Sequence, residues 1–116
     1  GFLQGALAPL ASGRGTLVVM VPGGRGTYHL LEYRQRLPGD PVPPSTGLLV
    51  LRVDESQEDG DGIVRVVDAN PRVPDFGAAT FGLRPGQTPM VQLPPDATVE
   101  VLSQRDTELA VRVSLR

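Results

Sequence analysis

The sequence has no cysteine, no tryptophan, a single histidine (His29) and a single asparagine (Asn70), and all eleven of its basic residues are arginine. Without cysteine there are no disulfides, no thiol catalysis and no cysteine-ligated metal. With one histidine, the H-E-x-x-H helix of zinc proteases cannot be assembled, because that motif needs two imidazoles on one face. A Ser-His-Asp triad would have to use His29, which stands in a strand pattern, and no nucleophile elbow occurs anywhere. No carboxylate pair is singled out by its spacing. This chain by itself is therefore expected not to be an enzyme. Two Tyr and three Phe are few rings from which to build sugar-stacking platforms. No apolar run approaches the 18 residues of a membrane-spanning helix, and no signal-peptide pattern opens the chain. A net charge of −2 with no basic stripe argues against nucleic acid as a partner.

What is present points to strands and turns. The 116 residues fit one domain, 1–116, and include 14 Gly and 12 Pro, too many for a helical bundle. The dominant signal is period two. Leu17 to Val21 is apolar on both faces, as in a strand covered on both sides. It leads through Pro22-Gly23-Gly24-Arg25-Gly26, a five-residue connection, into a strand from Thr27 to Arg36. Leu37 to Thr46 carries four prolines and reads as a surface loop. Gly47 to Val53 and Ile63 to Ala69 are further strands, separated by the acidic loop Asp54 to Gly62. Asn70 to Gly86 is irregular, with a short helical turn expected around Phe76 to Phe81. Thr88 to Leu93 reads as a short edge strand. Val99 to Val101 and Leu109 to Leu115 form a terminal hairpin with one buried face, and a further strand is expected around Gly5 to Leu10. About eight mostly antiparallel strands with long Pro/Gly-rich loops predict an all-β fold, a β-sandwich or a partly open barrel.

Three segments in order carry a family resemblance. They are Tyr28-His29-Leu30-Leu31-Glu32-Tyr33-Arg34-Gln35, Gly47-Leu48-Leu49-Val50-Leu51-Arg52-Val53-Asp54-Glu55 and Val67-Asp68-Ala69-Asn70-Pro71. A later Leu83-Arg84-Pro85-Gly86-Gln87-Thr88 extends the match, and Leu7-Ala8-Pro9-Leu10 is similar to the strand that enters the same region. This succession resembles the β-rich region that follows the catalytic core of secreted zinc metallopeptidases of the immune-inhibitor-A and gametolysin-like type. It covers roughly residues 7 to 90. The family's H-E-x-x-H-x-x-G-x-x-H helix is absent from these residues, so no catalytic or zinc residue carries over. The resemblance implies a secreted accessory domain, excised from a larger protein, whose partner is the catalytic domain of that protein. The sequence does not locate the apolar patch such packing needs. The alternatives are a free-standing β-sandwich binding carbohydrate or protein, or a structural assembly subunit.

Candidate residues follow from their chemistry. Glu32 and Arg34, two apart on one strand face beside Tyr28 and Leu30, are expected to form a partly buried ion pair that fixes register, with Arg52 or Arg65 as further members. Asp54, Glu55, Glu58, Asp59 and Asp61 are hard oxygen ligands at close spacing, as calcium prefers. They do not follow the EF-hand register, and a solvated turn made flexible by Gly60 and Gly62 is the main expectation; no other cofactor is expected. His29 is expected on the face opposite Glu32, with Thr27, Leu31 and Tyr33, as a packed or surface residue. Gly23-Gly24-Arg25-Gly26 lacks the lysine and following helix of a phosphate loop and reads as a turn. Phe76 and Phe81 either contact another domain or plug the open end of the sandwich.

Overall fold

A computed structural model of the chain describes residues 2–9, 15, 18–35, 46–55 and 63–115. Eight strands occur among them: β1 (Phe2–Leu7), β2 (Val18–Gly24), β3 (Thr27–Arg34), β4 (Gly47–Asp54), β5 (Ile63–Val66), β6 (Met90–Leu93), β7 (Ala97–Gln104) and β8 (Leu109–Leu115). They form two four-stranded sheets, ordered β1-β8-β7-β6 and β2-β3-β4-β5. Every strand pair is antiparallel. Each sheet keeps two edges rather than closing on itself, so the fold is an open β-sandwich and not a barrel.

The alternation of side chains builds the core. Leu31, Tyr33, Leu48 and Val50 face inward from one sheet, and Leu7, Leu93, Val99, Leu109 and Val111 from the other, all buried. Each such side chain contributes about 1.5–3 kcal/mol by leaving water. The core is tied across the sheets by Tyr33, whose hydroxyl donates to the Arg105 carbonyl at 2.6 Å. Gln35 donates from Nε2 to the Asp106 carbonyl of the same β7–β8 turn at 2.7 Å.

Several elements differ from their sequence pattern. The first strand lies earlier, at Phe2–Leu7, because β1 is set by pairing along β8 from Phe2 opposite Ser114 to Leu7 opposite Leu109. Beyond it the chain crosses to the other sheet, where Pro9 bridges Tyr33 in parallel. The strand β2 is an edge, with its outward Val18 and Met20 exposed, so it is not covered on both sides. Its connection to β3 is shorter than five residues. Pro22 pairs with Tyr28 and Gly24 with Thr27, which leaves Arg25-Gly26 as the turn and Gly23 as a bulge. Positive φ at both turn residues, 52° and 78°, suits a two-residue primed hairpin. Pro22 is tolerated because the outer side of an edge strand needs no ladder donor.

The strand β5 ends at Val66, after which Val67 still donates to the Val50 carbonyl at 2.9 Å. The expected helical turn at Phe76 to Phe81 is only a 3₁₀ turn at Pro74–Phe76. Phe81 is extended instead, exchanging two backbone bonds with Leu48 at 2.8 and 2.9 Å. Its ring is buried in the core, which plugs the sandwich; the side chain of Phe76 lies outside the described residues. The loop read at Leu37 to Thr46 lies outside them too, apart from Thr46.

Candidate functional site

The two sheets present different outer faces. Residues directly opposite one another across strands point to the same side. The register therefore places Met20, Leu30, Leu51 and Val66 in one outward row, and Tyr28, Val53 and Val64 in the next. A third row holds Val18, Glu32 and Leu49. Met20 is 62% exposed, Val64 58% and Val18 41%, whereas Leu49 and Val53 on the central strand β4 of this face are buried within the chain itself and Leu30, Leu51 and Val66 are half-buried. On the other sheet the outward rows read Gln4-Arg112-Glu100-Met90, Phe2-Ser114-Thr98-Gln92 and Ala6-Ala110-Ser103, in which polar residues are the majority. One sheet thus turns a polar face outward and the other an apolar one.

Glu32 and Arg34 sit on that apolar face, both half-buried, as the strand periodicity predicts. The flanking positions are Val18 and Leu49 for Glu32 and Gly47 for Arg34. Arg52 and Arg65 lie on the opposite side of the sheet and so cannot join them there. Arg52 is the direct neighbour of His29, and Arg65 of Arg52, which puts both arginines on the inward side. The inward row reads Val21, His29, Arg52, Arg65 across β2 to β5.

His29 is 2% exposed, and its Nδ1 is buried without a hydrogen-bond partner among the described residues. Burial, and then the positive charge of Arg52, hold its pKa below the ordinary 6.5. Arg52 and Arg65 are exposed, and they line a recess of about 160 Å³ with Asp54 and Ile63. Asp54, which shares this recess with them, has an interaction partner. On that inward side neither arginine is a further member of a Glu32–Arg34 pair. The missed signal was parity: once Tyr33 stands opposite Leu48, Arg52 must share the side of His29.

Of the five carboxylates of the acidic loop, Asp54 ends β4 and Glu55 follows it. Glu55 Oε1 accepts a hydrogen bond from the Tyr28 hydroxyl at 3.2 Å. Glu58, Asp59 and Asp61 lie outside the described residues. Among those described, no three His, Asp or Glu side chains gather as a metal site.

A second recess, of about 390 Å³, opens between the edge strands β1 and β2. Leu3, Val19, Met20, Val21, Pro22, Val113 and Leu115 line it, so it is largely apolar. Leu3 is 69% exposed there although it points toward the other sheet. The chain matches no protein-family model, no curated protein and no solved structure. The class defined by the fold is an open antiparallel β-sandwich with one apolar outer face.

Proposed function

We propose that this chain is a non-catalytic accessory domain that packs, through the outer face of β2–β3–β4–β5, against the catalytic core of the same parent protein. The observation that carries this reading is the asymmetry of the two sheets, with Met20, Leu30, Leu51 and Val64 outward on one and Gln4, Arg112 and Glu100 outward on the other. An apolar face of that kind loses free energy in water, at roughly 25 cal/mol per Å² left exposed. The centre of an interface is poor in charge and its rim polar. Tyr28 and Arg34, at the two ends of β3's outward set, suit the rim, whereas Glu32 lies between Val18 and Leu49. The resemblance to secreted zinc metallopeptidases supplies the nature of the neighbour, and with it an extracellular location.

The experiment is to isolate the native protein from its source and sequence it upstream of Gly1. The reading expects a single polypeptide that carries H-E-x-x-H-x-x-G-x-x-H before these residues. A native polypeptide without that segment removes the protease neighbour from the account. A free-standing binding module is the second reading, and the apolar recess between β1 and β2 favours it, since ligand sites are concave and largely apolar.

A further inference from the structure

We propose that Arg52 and Arg65 bind a small monocarboxylate in the recess they share at the rim of the sandwich. Two like charges directly opposite one another on neighbouring strands destabilise a sheet, since their Cβ atoms stand about 4.5–5.5 Å apart. Arg52 and Arg65 occupy such a position. An anion between them removes that cost, and the planar guanidinium fork suits a carboxylate in two-bond geometry.

The composition of the recess narrows the ligand. Arg52, Arg65 and Asp54 together leave one positive charge, which matches a monoanion better than a dianion. The volume of about 160 Å³ suits a short acid, and Ile63 supplies an apolar wall for its hydrocarbon part. His29 lies next to Arg52 on the same inward row, buried, with its Nδ1 unpartnered. It is the first buried group to sense a change of charge at Arg52.

The site is separate from the proposed docking face, because the two lie on opposite sides of one sheet. Loss of either one leaves the other standing. The free acid is also favoured over a neighbour's acidic side chain for this reason, since a domain seated on the outer face does not reach the inner rim.

The test uses the whole chain and its only histidine as a reporter. Sodium butyrate is titrated at constant pH and constant ionic strength against sodium chloride. The imidazole signal and the arginine Nε–Hε signals are followed by NMR. Binding predicts a saturable shift of His29 in the millimolar range, equivalent to about −4 kcal/mol. R52Q and R65Q are each expected to weaken that response at least tenfold while the amide spectrum keeps its dispersion. Blocked glutamate (N-acetylglutamate amide) is expected to bind no more tightly than butyrate. An unsaturated drift equal to that of chloride would mean screening alone and would overturn the site. So would a saturable shift that survives R65Q. Blocked glutamate binding more than tenfold tighter than butyrate would give the site to an acidic side chain instead.

Discussion

The hydroxyl of Tyr33, on the β2–β5 sheet, donates to the carbonyl of Arg105 in the turn of the opposite sheet at 2.6 Å. The ring itself is fully buried. Tyr33→Phe keeps the ring and leaves the Arg105 carbonyl without that donor. The expected cost is about 1–2 kcal/mol, read as a lower urea midpoint with unchanged slope. An unchanged midpoint would show that the β7–β8 turn is held by other contacts, such as Gln35 on Asp106.

Gly47 begins β4 with a φ of 150°, and a Cβ there would stand 2.5 Å from the Phe81 carbonyl oxygen. Phe81 cannot retreat cheaply, since its backbone is bonded twice to Leu48 and its ring is in the core. Gly47→Ala is therefore expected to destabilise by more than about 2 kcal/mol. A thermal midpoint within one or two degrees of the parent would contradict this close approach.

Arg25 carries a φ of 52° in the two-residue turn between β2 and β3. Asparagine before glycine is the favoured pair for a turn with positive φ at both positions. Arg25→Asn should stabilise the chain by about 0.5–1 kcal/mol, measured by thermal denaturation. A destabilised variant would mean that the arginine side chain holds the turn through contacts of its own.

His29 links stability to pH. Its pKa in the folded chain is lowered by burial and by Arg52. The unfolded chain thus binds a proton more readily than the folded one. Above the ordinary value of 6.5 both states are neutral and the group costs nothing. As pH falls below that value the unfolded state gains protons first, and stability drops until the folded-state value is passed. The imidazole signal should titrate below 6.5, and a value at or above 6.5 would contradict its burial beside Arg52.

The sandwich class was legible because β7 and β8 alternate cleanly, with Val99, Val101, Val111 and Val113 inward and Thr98, Arg112 and Ser114 outward. The turn after β2 was not, because Gly23 and Gly24 look like loop residues although a bulge carries them inside the strand. Long-range pairing decided that, and it is invisible to local pattern. The apolar outer face left a readable trace in Val18 and Met20, which break the alternation of a one-sided strand. Sequence alone could not say whether such residues are covered by this domain, and here they are exposed. The row of His29, Arg52 and Arg65 escaped notice because it joins three strands whose mutual register no local signal specifies.

Under the docking proposal the outer face of β2–β5 is covered by a neighbouring domain and the outer face of the other sheet is not. The two methionines of the chain report on it directly. Met20 lies on the apolar face at 62% exposure and Met90 on the polar sheet at 45%. Mild peroxide oxidation followed by mass spectrometry compares their rates in the isolated chain and in the native protein. Both should oxidise at similar rates in the isolated chain. In the native protein Met20 should slow at least tenfold while Met90 stays reactive. Equal oxidation of Met20 in both forms would contradict the claim that this face docks on a neighbour.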